Sequence, residues 1–467
     1  MSEPTFILPS LALEDDHRSM IGEALSRLSV YEASNRKLEA FYEGPKRIKQ
    51  LGIAMPSRLE DKLSTVLGWG GTAVDVLEER LDWQGWESDT DYGLGEVFAA
   101  NELESDSGLA HLDALIYGTS FVTVSTGQDG EPSPLITVES PRTMTGAYDP
   151  RRRRLAWAVA VDRRTELGEP ELVKLFLPDE TVTVSRGGSG WKVEERDAHR
   201  LGRVPVVQLV NRPRASRLGG RSEISRAVQS LVVQAVRTLG GMEVNREFYV
   251  SPQRYALGPD ADAFTDVNGQ PMGWEAIMGR LLVLPRDEDT DKLPEVGQFS
   301  AASPAPFVDQ INHLAQLLAA EIGVPSSYLG FSTQNPASAD AIRSAEARLV
   351  KRAERRQTGF GRGWVEVAKL SMLHRDGRLP GGVLDLSCRW RDAATPTRAA
   401  AADEALKLVS AGILPADSSV LYSRLGLSPQ EVRTLEAEKR RAAAAARLDA
   451  LAGLSEPVEA PESDGAA

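Results

Sequence analysis

The sequence predicts an α+β protein, mainly helical, and three observations carry that reading. Apolar residues recur at helical spacing up to about residue 115. Between about 120 and 210 the pattern changes to short strands separated by turn residues. From about 222 the helical period returns and dominates to the end of the chain.

The run HRSMIGEALSRLSVYEASNRKLEAFYEG sets Met20, Ile21, Leu25, Leu28 and Tyr31 at helical spacing and stops at Gly44-Pro45. RLEDKLSTVLGWGGTAVDVLEERL continues as helix with glycines at its middle, and LESDSGLAHLDALIYG is a short helix ending at Gly118. SFVTVST, PLITVES, LAWAVAV, ELVKLFL, TVTVS, WKVEER and VPVVQLV follow, rich in β-branched and aromatic residues. Turn sequences such as GQDGEP, YDPRRRR, ELGEP and GGSG separate them, which predicts one antiparallel meander over about 120–210.

RLGGRSEIS, residues 217–225, then leads into a long helix. Ile224, Val228, Leu231, Ala235 and Leu239 trace one helical face and mark a packing seam. A helix over 222–247 spans roughly 39 Å, with Ser222 as its N-cap and Glu223 set against its dipole. Residues 252–303 are turn-rich and irregular. PFVDQINHLAQLLAAEIG is a second helix, with a stripe of Phe307, Ile311, Leu314, Leu318 and Ile322 and a stop at Gly323 and Pro325.

After the loop GVPSSYLGFSTQNPAS, Ser338 caps a long basic helix that reaches about His374. It carries Arg343, Arg348, Lys351, Arg352, Arg355 and Arg356. Glu346 and Glu354 pair part of that charge, and the surplus predicts a positive face. VLDLSCRW reads as one strand, and three helical pieces occupy about 397–451. The acidic, Pro-rich tail at 455–467 is expected to be disordered.

A chain of 467 residues exceeds one ordinary core, so two to four domains are expected. The net charge of −13 argues against a simple cationic DNA binder, although an acidic surface can let DNA slide. Cys388 is the single cysteine, which excludes an intrachain disulfide and a Cys-based zinc site. No basic n-region precedes a long apolar stretch, and no run approaches the roughly 20 apolar residues of a membrane span. The chain therefore reads as intracellular and soluble.

Chemistry-bearing motifs are thin. The adjacent Gly219 and Gly220 break the register of a P-loop, and Arg221-Ser222 follows where the motif requires Lys. The five histidines share no i, i+3 or i, i+4 spacing, so no zinc hydrolase site forms locally. SNRK, residues 34–37, matches S-x-x-K without its companion motifs, and no G-x-S-x-G elbow exists. Asp15-Asp16 and DEDTD, residues 287–291, lack calcium-loop spacing. No catalytic, cofactor-binding or metal residue is assigned, and no cofactor is expected. The basic run at 151–154 reads either as an exposed hairpin tip or as an anchor for nucleic acid or an acidic partner.

Three stretches in order resemble the portal (head–tail connector) protein family of tailed bacteriophages. They are LIYGTSFVTVSTGQDGEPSPLITVESPRTMTGAYDP, NRPRASRLGGRSEISRAVQSLVVQAVRTLGGMEVNREFYVSPQRYALG and IGVPSSYLGFSTQNPASADAIRSAEARLVKRAERRQTGFG. The resemblance extends over about 15–450. It implies a wing over 1–215, a first stem helix over 216–250, a clip over 251–303 and a second stem helix over 304–323. A tunnel loop over 324–338 would face an axial channel with Ser332, Thr333, Gln334 and Asn335. The long helix and return to the wing would occupy 339–394, and a crown 395–454. The family forms a ring, usually of twelve subunits, at one capsid vertex, assembled in the host cytoplasm and carried in the virion. Its implied partners are double-stranded DNA, the terminase large subunit that supplies ATP hydrolysis, a head–tail adaptor, and a major capsid or scaffolding protein, with no membrane. Two other readings stand beside it: a nucleic-acid-processing enzyme using 151–154 and DEDTD, and another capsid-assembly protein.

Overall fold

The computed structural model describes residues 13–44, 65–188, 190–250, 254–257, 295–298, 303–330, 339–381, 383–394, 398–427 and 429–453. Helix α1 (Asp15–Glu43) opens with Asp15 and Asp16 in its first turn, where the helix dipole favours acids, and ends at Gly44 with φ 93°. Helix α2 (Trp69–Glu78) packs against α1. Its glycines lie in the first turn rather than mid-helix, and Gly70 permits the approach. A Cβ there would sit 1.9 Å from the Phe41 carbonyl oxygen. Strand β1 (Trp83–Glu87), α3 (Leu94–Ala100) and α4 (Leu103–Tyr117) follow.

The expected single meander is two sheets. Strands β2 (Thr119–Ser125), β3 (Leu135–Glu139) and β9 (Val206–Val210) form one, in the order β3-β2-β9, with Thr119 opposite Val210. Strands β4 (Met144–Asp149), β5 (Arg154–Arg164), β6 (Pro170–Phe176), β7 (Thr181–Gly187) and β8 (Gly190–Asp197) form the other as a true meander. The split follows from burial. Residues 120–124 of β2 are all buried, so both faces need cover: Val122 and Val124 pack with α4 and a long later helix in one core, and Phe121 on the opposite face packs with Met144, Leu155 and Ala158 of the second sheet. In β7 the buried residues alternate, which leaves one core face. That face meets Ile21, Ala24 and Leu28 of α1 through Val182 and Val184.

Helix α5 (Arg226–Val250) and α6 (Ala305–Ile322) form an antiparallel pair. Ser225, at the start of α5, hydrogen-bonds Glu321 near the end of α6, and a Cβ on Gly241 would touch Phe307 at 3.1 Å. The stretch expected to be irregular over 252–303 contains an antiparallel pair, β10 (Arg254–Leu257) with β11 (Glu295–Gln298). The other residues between them lie outside the described set.

Helix α7 (Ala339–Asp376) runs through GFGRGW, and Gly363 lets it lie close against β9. A Cβ on Gly363 would lie 2.1 Å from Leu209 Cδ2 in β9. VLDLSCRW is not one strand. A single 3-10 turn (Val383–Asp385) precedes β12 (Ser387–Trp390), which pairs with β1. Helices α8 (Arg398–Ser410), α9 (Ser419–Arg424) and α10 (Pro429–Gly453) are the expected three pieces, and the acidic tail lies outside the described residues.

One large core joins α2, α4, β2, β9, α5, α6 and α7. At its centre Trp83 stacks on Trp364 at 4.3 Å, and both are fully buried. Trp364 donates its indole N–H to His111 Nε2 at 2.9 Å. Burial pushes the His111 pKa down to about 3, so the ring is neutral and a permanent acceptor. Among the described residues no helix is long and apolar enough to cross a membrane.

Candidate functional site

Charge concentrates where residues 211–226 pass from β9 to α5 beneath helix α7. The chain must reverse twice there, and Gly220 allows it with φ 76°. A Cβ at Gly220 would lie 2.1 Å from the Gly118 carbonyl oxygen. The Asn211 N–H donates to Gly118 O at 2.9 Å, Arg221 N–H to Asn211 O at 2.8 Å, and Glu223 N–H to Leu115 O at 2.9 Å. These bonds pin the segment to the end of α4. They also consume the backbone donors that a phosphate-cradling loop would need, which fits the absence of a P-loop register.

The expected cap moves by one turn. Ser222 Oγ accepts from Ile224 N–H at 3.0 Å in a local turn, whereas Ser225 Oγ accepts from Val228 N–H at 3.2 Å and caps α5. The helix starts at Arg226, so Ile224 precedes it. Glu223 does not serve the helix dipole either. Its carboxylate is buried and accepts from Arg356 Nη2 at 2.5 Å, from Arg352 Nη2 at 2.6 Å and from Asn211 Nδ2 at 3.0 Å. Arg212 Nη1 approaches at 3.4 Å. Burial on its own raises the Glu223 pKa, but Arg356 and then Arg352 outweigh it and hold the carboxyl below its ordinary range. Fully buried Asn211 completes the cluster, accepting from Arg356 Nε at 3.2 Å and donating to Arg221 O at 2.8 Å.

The basic helix therefore divides. Arg352 and Arg356 turn inward onto Glu223, and Arg348 donates to Ala320 O at 2.7 Å at the C-terminal end of α6. Lys351 pairs with Glu354 at 2.5 Å. Arg355 is exposed, and the side chain of Arg343 lies outside the described set. Much of the expected positive face is thus an internal clamp.

Arg355 and Arg356 line a cleft of about 370 Å³ together with Arg212, Arg214 and Arg221. A second cleft, of about 930 Å³, shares Val210, Pro213 and Gly359 with it and is lined by Arg152, Arg153, Arg154, Arg203, Arg362 and Lys369. The fold thus brings the run at 151–154 beside the basic helix. Asp149 turns that hairpin by accepting from the Arg151 and Arg152 N–H groups, and Arg153 takes φ 53°. Burial, then Arg203 and Arg152, lowers the Arg154 pKa.

On the seam, Ile224, Val228 and Ala235 are buried and Leu231 and Leu239 half-buried. Val232 and Val236, which the stripe omitted, are buried too. Together with Leu314, Leu318 and Ile322 of α6 they join the main core within this chain. Ser332, Thr333, Gln334 and Asn335 lie outside the described residues, as does DEDTD. Sequence spacing missed one pairing of histidines: His199 and His374 bring their rings to 6.2 Å. Among the described residues no group of three His, Cys, Asp or Glu side chains is placed to hold a metal.

Over residues 77–444 the sequence matches the family described as phage portal protein, SPP1 Gp6-like. It is 35% identical over 401 residues to the portal protein of Mycobacterium phage D29, covering 82% of this chain and 81% of that protein. The portal protein of Mycobacterium phage L5 is 34% identical over 402 residues, with the same coverage of each chain. A chain from the virion of the native gene transfer agent particle aligns at a TM-score of 0.41 and 14% identity, over 77% of this chain and 90% of that one.

Proposed function

We propose a DNA-conduit role from one premise: this chain belongs to the SPP1 Gp6-like family of phage portal proteins. The protein is a structural subunit of a closed ring, twelve copies by the family resemblance, at one vertex of the capsid. Double-stranded DNA passes through the ring during packaging and ejection. The terminase large subunit and a head–tail adaptor dock on it, and a major capsid or scaffolding protein holds it in the shell.

Within that role, residues 1–215 form the wing, α5 and α6 the stem, 251–303 the clip and 395–454 the crown. Ser332, Thr333, Gln334 and Asn335 face the channel. The observation that carries this reading is the family match over residues 77–444. Physical features support it. The antiparallel α5–α6 pair is a strut locked at its base by Ser225 and Glu321. Val308 and Leu317 of α6 are 47% and 44% exposed, apolar surface that a neighbouring copy would cover. A ring needs such heterologous contacts, in which one face meets a different face of the next subunit. The net charge of −13 lets DNA slide past the wall rather than stick.

Electron microscopy of the purified protein should show rings with an axial hole. A stable monomer, even in the presence of capsid and terminase partners, would overturn the proposal. Deleting residues 333–335 should leave rings intact and impair packaging. Normal packaging by that variant would remove the channel role of the loop.

A further inference from the structure

Five arginines, Arg212, Arg214, Arg221, Arg355 and Arg356, line the cleft of about 370 Å³ beside the buried cluster, and no lining residue is acidic. In a chain of net charge −13 that concentration needs a cause. The carboxylate that meets Arg356 beneath it is Glu223, already shared among Arg212, Arg352 and Arg356. Buried Arg356 and half-buried Arg352, with exposed Arg212 at their edge, face that one anion and leave a positive excess in a medium that screens poorly. Arg214, Arg221 and Arg355 are exposed, and their side chains make no hydrogen bond or ion pair among the described residues.

Free arginines would splay apart. Here the backbone holds them together. Arg212 takes φ 50°, a left-handed conformation that costs energy outside glycine. Arg214 and Arg217 bridge each other through main-chain bonds of 3.0 and 2.8 Å. Arg221 is tied through its N–H to Asn211 O, and Asn211 in turn fixes Arg356. The platform is built before any ligand arrives.

We propose that this cleft binds a phosphate-class oxyanion. The planar guanidinium fork matches phosphate oxygens two at a time, and the side chains of Arg214, Arg221 and Arg355, unpaired among the described residues, line this cleft together. Recognition runs through side chains, because the backbone donors of Arg221, Glu223 and Ile224 are already engaged. Both a free phosphate compound and the backbone of a nucleic acid present this chemistry. Neither ring formation nor the channel assignment is required for it.

The test uses the full-length protein in buffer free of phosphate and sulfate. Inorganic phosphate is titrated against chloride at equal ionic strength while thermal unfolding is followed, and a short DNA duplex is the second probe. Phosphate should stabilise the protein saturably beyond chloride. Arg221→Ala and Arg355→Ala should each weaken that binding about tenfold, the scale of one charge-assisted hydrogen bond. Arg355→Lys keeps the charge, loses the fork and should fall between. Arg151→Ala, outside the cleft, should change nothing. If free phosphate is inert but duplex binding falls in the same variants, the oxyanion is supplied by nucleic acid. Equal responses to phosphate and chloride, with duplex binding unchanged in Arg221→Ala and Arg355→Ala, would overturn the site. Loss of rings in those variants, with the wild type indifferent to both probes, would overturn it too and assign the arginines to a subunit contact.

Discussion

Arg356 donates through Nη2 to Glu223 at 2.5 Å, joining residues 133 apart in sequence at the base of the α5–α6 strut. The bond couples the segment that enters α5 to the middle of α7. Its partners Asn211 and Arg352 leave no freedom in how the two elements meet.

Removing the acid should therefore be costly. Glu223→Ala strands Arg352 and Arg356 in a buried site, and about 3–5 kcal/mol of stability should be lost in denaturant unfolding. Arg355→Ala on the exposed side of the same helix should cost under about 0.5 kcal/mol. Equal costs would mean that the buried cluster does not hold the junction.

The same carboxyl sets a pH dependence. Its folded pKa lies below its ordinary value of 4.5. Its contribution is thus complete above that value and is lost as pH falls through the folded one. Glu223→Gln should flatten the acid limb of the stability curve.

His111 acts over a higher window. Burial lowers its pKa from 6.5 to about 3, so the unfolded chain binds a proton that the folded chain refuses. Stability should fall below about pH 6.5 by up to about 1.4 kcal/mol per pH unit from this group. His111→Gln should show a shallower slope of melting temperature between pH 6.5 and 4, even if its stability at pH 8 is lower.

Two glycines of GFGRGW should respond in opposite directions. Gly363→Ala drives a methyl into Leu209 and should destabilise by about 1–3 kcal/mol. Gly359 has open space around it, so Gly359→Ala should stabilise by about 0.4–1 kcal/mol. Chemical denaturation of the two variants separates these outcomes.

Cys388 should be inert in the native state. Burial pushes its thiol up to about 12, and Sγ sits 3.4 Å from the Gly361 carbonyl oxygen. A thiol reagent should modify it only after denaturant is added. Rapid native modification would show that β12 opens.

Local pattern made the helices legible, because an amphipathic run declares its own period: α1, α4, α6 and α7 begin and end near where their apolar stripes and glycines place them. The partition of the strands was not legible, because β9 pairs with β2 across some 90 residues and nothing local marks that choice. Glu223 misled for the same reason. An acid just ahead of a helix fits a dipole, and only the fold brings Arg352 and Arg356 to it. Arginines 152–154 and 355 looked like separate basic runs until β5 and α7 were laid side by side. Asn211 carried no sequence signal at all.

The pairing of β1 with β12 has a consequence for synthesis on the ribosome. Trp83 lies opposite Trp390, so the strand that covers it is made some 300 residues later. Until then its stacking partner Trp364 is also missing, and the nascent N-terminal half presents an open aromatic face. Such a face invites association with other emerging chains or with chaperones. Closure of this core is therefore a late event, and a chain truncated before residue 387 should be recovered in aggregates rather than as a soluble fragment.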